Sequence, residues 1–129
     1  MNTDILSITE SRLQADIFCY HWNSYPHERG LLFHVNNKAR NSIEGNRMKA
    51  MGSVPGVSDL VYLRPGGKPL LLELKLSEGS QSPDQKKWEA AVRKARYDYR
   101  VIRSLDEFKG LATGKTTAAG PAITNFLNL

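Results

Sequence analysis

Apolar residues recur at helical spacing early in the chain. Leu13, Ile17 and Tyr20 share one stripe of a helix predicted from about Ser7 to Tyr20. Ser7 and Glu10 have the S-x-x-E spacing of a capping box, which puts the helix start there. Glu10 also falls on the stripe of Leu13, Gln14 and Ile17. A carboxylate aimed inward needs a partner, because burying an unpaired charge is costly. Glu10 therefore either only completes the capping box or serves a site. His21 to Pro26 breaks the pattern and reads as a loop.

The period then shortens. Leu31 to Asn36 reads as a strand rich in bulky apolar residues. The stretch from Asn37 to Ser58 carries Lys38, Arg40, Arg47 and Lys49 and closes on Gly52-Ser53-Val54-Pro55-Gly56; Ile43, Met48 and Met51 suggest a short helix within it. Such a long basic segment is either a functional loop or a solvated face. Two stronger strands follow, Asp59 to Arg64 and Pro69 to Leu76, and the intervening Pro65-Gly66-Gly67-Lys68 predicts an antiparallel hairpin. Ser82-Pro83-Asp84-Gln85 supplies a cap serine, a first-turn proline and an S-x-x-Q box. The helix it opens should run to about Arg96, with Trp88, Val92 and Ala95 inward. Tyr99 to Ile102 predicts another strand, and Leu105 to Leu111 a short helix.

The chain's 129 residues suit one domain, taken as residues 1–112. Residues 113–129 form a Thr-, Ala- and Gly-rich tail ending in Ile123, Phe126, Leu127 and Leu129, either a flexible arm or a segment packed on a partner subunit. With 40% apolar and 24% charged residues, a packed core is expected rather than disorder. Eighteen Lys and Arg against thirteen Asp and Glu give a net charge of +5, which favours polyanion partners. The single Cys19 excludes an internal disulfide and a cysteine-rich zinc site, and reads as core filler. No secretory leader pattern and no bilayer-length apolar run are visible, so a cytoplasmic protein is expected.

The hairpin holds the chemistry. Leu70, Leu72, Leu74 and Leu76 face one side of their strand, and Leu71, Glu73 and Lys75 the other. An acid and a base on so apolar a strand either pair at a solvated edge or serve a metal. Asp59 and Glu73 are spaced evenly about Gly66. An odd-numbered turn sets them directly opposite, with side chains roughly 5 Å apart. An even-numbered one puts them on opposite faces. Facing carboxylates repel unless one keeps its proton or a cation lies between them. Hard oxygen ligands select Mg²⁺ or Mn²⁺.

The combination of Gly56-Val57-Ser58-Asp59-Leu60, Glu73-Leu74-Lys75 and Ser82-Pro83-Asp84-Gln85-Lys86-Lys87-Trp88 resembles the VRR-NUC branch of the PD-(D/E)XK nuclease superfamily. The likeness spans roughly Leu31 to Phe108, including His34-Val35-Asn36-Asn37 and Tyr99 to Ser104. The usual proline before the motif aspartate is Ser58 here. The resemblance implies an α/β, restriction-endonuclease-like α-β-β-β-α-β core whose mixed central sheet is flanked by helices. It implies a metal-dependent DNA endonuclease, similar to homodimeric resolvases of four-way Holliday junctions and other branched DNA. Asp59 and Glu73 would then ligate the metal, with the Leu74 carbonyl as a third ligand. Lys75 would orient the attacking water or stabilise phosphoryl charge, and Glu10 would hold a metal-bound water. Gln85 would help position the site, although its capping role alone also accounts for it. Lys38, Arg40, Arg47, Lys49 and Lys86 are the candidate DNA contacts.

Two competing readings follow from the same residues. A non-cutting nucleic-acid-binding module would keep the fold and the basic surface, and a protein-binding scaffold would need only ion pairs. Gly114-Lys115-Thr116-Thr117 imitates the end of a P-loop, but the earlier glycine would fall at position 109, which is Lys109.

Overall fold

A computed structural model describes residues 3–36 and 38–113. Helix α1 (Thr3–Ser24) is longer than its stripe predicts at both ends. Ser7 is inside the helix, so the Ser7–Glu10 capping box does not mark the helix start. The segment from His21 to Ser24, expected as loop, continues α1 because the inward stripe runs on through His21. His21 is 1% exposed, and its Nε2 lies 2.9 Å from Glu28 Oε1 in a short 3-10 turn, Pro26–Glu28. Arg29 Nε donates to the Trp22 carbonyl at 2.9 Å, satisfying one of the free acceptors of the helix end.

Strand β1 (Leu32–His34) follows, then α2 (Ser42–Ala50), β2 (Leu60–Tyr62), β3 (Leu70–Leu74), α3 (Pro83–Lys94), β4 (Asp98–Ile102) and α4 (Leu105–Thr113). The paired parts of β1, β2 and β3 are shorter than the apolar runs that foretell them, whereas β4 starts one residue earlier than expected. The hairpin is present as expected, with β2 and β3 antiparallel, and β1 extends it into a meander. Helix α3 then carries the chain across so that β4 runs parallel to β3. The result is a mixed four-stranded sheet in the order β1-β2-β3-β4, an α/β fold of the expected kind with α2 and α4 added.

Side-chain alternation decides the layers. Leu70, Leu72 and Leu74 join Leu32, Leu60 and Tyr62 on the face covered by α1 and α4, packed against Ile17, Phe108 and Ala112. Leu13 and Tyr20 pack at the margin of this core. Cys19 is half-buried and receives a 3.4 Å hydrogen bond from Asn23 Nδ2.

The opposite face carries α3. Val92 is buried there, and Trp88 tilts against Tyr99 with ring centroids 6.0 Å apart. Ala95 is exposed rather than inward, since the helix ends at Lys94. Arg96, at φ 71°, closes a Schellman motif in which Arg96 N donates to Arg93 O and Tyr97 N to Val92 O. Among the described residues no helix is long and apolar enough to cross a membrane. The tail expected beyond residue 113 and the Gly114 to Thr117 motif lie outside the described residues.

Candidate active site

Strand register brings the acids together. Leu60 pairs with Leu72, Val61 with Leu71 and Tyr62 with Leu70 across an odd-numbered connection, Leu63 to Pro69. One further step along that register sets Asp59 opposite Glu73. Asp59 then ties the strands in two ways. Its backbone carbonyl accepts from Val35 N at 2.9 Å, and its Oδ2 accepts from Leu74 N at 2.7 Å.

Glu73 is 1% exposed, yet only part of its carboxylate is satisfied. Oε2 accepts from Gln85 Nε2 at 2.8 Å and lies 4.0 Å from Lys75 Nζ, while Oε1 is buried with no hydrogen-bond partner. Burial and then the Asp59 charge push the Glu73 carboxyl up to about 8; Lys75 opposes this and Glu10 adds to it. Near neutral pH the Glu73 carboxyl therefore tends to keep its proton.

Gln85 performs both of the roles that its sequence position allows. Its Oε1 accepts from Ser82 N at 2.8 Å, completing the capping box at the start of α3, and its Nε2 holds Glu73. The loop before Asp59 is laid on the same helix start. Gly56 sits at φ +85°, where a Cβ would collide with the Asp84 carbonyl and approach Gln85 N to 2.9 Å. Ser58, in place of the expected proline, is buried and donates from Oγ to Leu60 O at 3.1 Å. Tyr99 is a further buried neighbour. Its hydroxyl takes a 3.0 Å hydrogen bond from Gln81 Nε2, and burial followed by the Glu73 charge pushes it up to about 12.

A cleft of about 200 Å³ opens at this end of the sheet, lined by Glu10 and Gln14 of α1 together with His34, Lys38, Asp59 and Leu74. Glu10 thus reaches the site from the helix wall. Among the described residues no three His, Cys, Asp or Glu side chains form a ready-made metal cluster, so Glu10 stands apart from the tight Asp59–Glu73 pair. Two facing carboxylate groups with one orphaned, buried oxygen nonetheless suit a hard divalent cation, which would neutralise both and give Oε1 a partner.

The candidate DNA contacts divide. Lys38 lines the cleft, while Arg47 and Lys49 are exposed on α2 and Lys86 on the first turn of α3. Arg40 is drawn to Glu44, with Nε 3.4 Å from Oε1. Sequence patterns alone do not single out His34. Its signal is the strand alternation that follows core residue Leu32 and puts an imidazole on the same face at the strand end.

A solved structure described as a VRR_NUC domain protein matches with a TM-score of 0.63 at 20% identity, covering 81% of this chain and 84% of that one. It supports the fold. No curated protein matches the chain significantly. The model of the VRR-NUC domain matches residues 5–106, which span α1 through the first turn of α4 and include all of Glu10, Asp59, Glu73, Lys75 and Gln85. The chain belongs to the VRR-NUC family and carries its nuclease-type domain.

Proposed function

We propose that this chain is a Mg²⁺- or Mn²⁺-dependent endonuclease that hydrolyses phosphodiester bonds in DNA, acting on branched structures such as four-way junctions. The observation that carries this reading is the buried Asp59–Glu73 pair, with its orphaned Oε1 and Lys75 beside it. A phosphodiester is anionic, so attack by hydroxide is slow until its charge is neutralised. A bound divalent cation supplies a more acidic water and neutralises charge on the phosphate.

The chain's own residues divide the remaining work. Asp59, Glu73 and the Leu74 carbonyl would hold the cation, and Glu10 would accept a hydrogen bond from water on the helix side of the cleft. Lys75 sets a fixed positive charge where phosphoryl oxygens gain negative charge. Gln85 keeps Glu73 in one rotamer by donating to Oε2. Lys38, Arg47, Lys49 and Lys86 would contact phosphates, with Arg40 joining them if it leaves Glu44. Two cuts in a symmetric junction require two sites, which a C2 homodimer supplies.

Cleavage of a labelled junction with and without Mg²⁺, by wild type and by Asp59→Ala and Lys75→Ala, tests the proposal. Wild type alone should cut, and only with metal. Salt-dependent binding without turnover would instead identify a non-cutting module. Equal cleavage by all three proteins would remove Asp59 and Lys75 from the mechanism.

A further inference from the structure

Helix α2 has no buried residue, although it is properly built: Asn41 caps it by accepting from Glu44 N at 2.8 Å. Ile43, Arg47 and Met51 follow one another at four-residue spacing and so share an outward stripe. Ile43 is 75% exposed, Met51 78%, and nearby Val54 46%. Isolated exposed apolar residues need no explanation, but here an unpaired cation, Arg47, lies between Ile43 and Met51, and Lys49 and Lys38 are close by in the chain. Lys38, Arg47 and Lys49 have no ion-pair partner among the described residues, and the one acid of the helix, Glu44, is already held by Arg40. The Met51 end of the stripe lies next to the cleft. Val35 and Asn36 line both that cleft and the apolar hollow beneath Met48 and Met51.

We propose that α2 is the element that recognises the branch in the DNA: Arg47, Lys49 and Lys38 hold the phosphates beside the cleft while Ile43 and Met51 press on bases unstacked at the junction. The inference deepens the proposed function and rests on DNA being its substrate. The charge pattern calls for a polyanion, which both duplex and branched DNA provide. The apolar members separate the two. An intact duplex presents phosphates outward and keeps its base faces stacked, so Ile43 and Met51 gain little from it. At a branch the base faces open, and apolar side chains can cover them or wedge between them. Duplex affinity should therefore come from the cations alone, and branch selectivity from the apolar pair.

The test uses the full chain in EDTA, with fluorescence anisotropy on a four-way junction and on a linear duplex of matched sequence. Ile43→Ser/Met51→Ser should lower junction affinity about tenfold while duplex affinity stays within about twofold. Ile43→Leu/Met51→Leu should restore selectivity, which separates the apolar role from any loss of helix. Arg47→Ala/Lys49→Ala should weaken both DNAs and reduce the salt slope by about 1 for each phosphate that is no longer neutralised. An unchanged junction-to-duplex ratio in the serine variant overturns the inference. So does an equal loss on both DNAs accompanied by a fall from dimer to monomer mass in light scattering, which would make α2 a protein interface. Mg²⁺-dependent cleavage by wild type is scored separately. Selective binding without cleavage defeats the nuclease reading and leaves this one standing.

Discussion

Gln85 joins the start of α3 to the buried acid of β3: one end of its amide accepts from Ser82 N and the other donates to Glu73 Oε2, both at 2.8 Å. A single side chain thus sets the helix start and the carboxylate rotamer together. Gln85→Ala should lose both, reducing Mg²⁺-dependent cleavage about 10- to 100-fold and stability by about 1 kcal/mol. Gln85→Glu keeps an acceptor for Ser82 N but turns the donor toward Glu73 into a second anion. Its melting temperature should fall less than that of the alanine variant at acid pH, with cleavage no better. Melting curves and single-turnover cleavage on the same preparations separate the two roles.

The raised Glu73 carboxyl sets a pH dependence of definite sign. Glu73 holds its proton more tightly folded, near pH 8, than unfolded, near the ordinary value of 4.5. Its contribution to stability is therefore complete below about 4.5 and is lost as pH rises through about 8. Metal-free protein should lose melting temperature across that interval, whereas Glu73→Gln should show a flatter profile. Binding a divalent cation must displace the Glu73 proton. Calorimetry in buffers of different ionisation enthalpy should report proton release on Mn²⁺ binding, declining above pH 8. Absence of proton release at pH 7 would contradict a protonated Glu73.

Gly56 is constrained twice, by a positive φ and by the Asp84 carbonyl facing it. Gly56→Ala costs roughly 1–2 kcal/mol for the left-handed backbone alone and must also push α3 away. Cleavage should fall more than the loss of folded protein explains, because α3 carries Gln85. Raising the Mg²⁺ concentration should recover part of it if the acids are displaced rather than removed. Full activity at equal stability would show that the loop and the helix start are not coupled.

Tyr62 provides the contrasting case. Its hydroxyl donates to Glu28 Oε1 at 2.6 Å in the polar cluster with His21 under α1, three residues along β2 from Asp59 and so ~10 Å away. Tyr62→Phe should cost about 1 kcal/mol in chemical denaturation and leave junction cleavage within about twofold of wild type. A large loss of cleavage would connect the cluster to the site.

Much of this protein is written in local pattern. Alternation in Leu70 to Leu74 determines which side chains enter the core, and Ser82-Pro83-Asp84-Gln85 announces α3, because strand period and helix caps are properties of neighbouring residues. The E-x-K spacing likewise puts Glu73 and Lys75 on one face without help from the rest of the chain. Other features are decided at a distance. Helix α1 starts before the point that Ser7 and Glu10 suggest, since they fit a cap that the helix does not use. It also ends later than the local pattern implies, because His21 becomes a core residue only once Glu28 and Tyr62 fold against it. Whether Asp59 meets Glu73 or turns away depends on the register of the hairpin, which the turn residues leave open and strand pairing resolves. The second hydrogen bond of Gln85, the collision that reserves position 56 for glycine, and the place of His34 in the cleft all join residues from separate elements. Sequence supplies the acids and the lysine. Tertiary packing buries one acid, sets the other across from it and leaves one oxygen without a partner, since burial and opposition arise only when strands and helix close together.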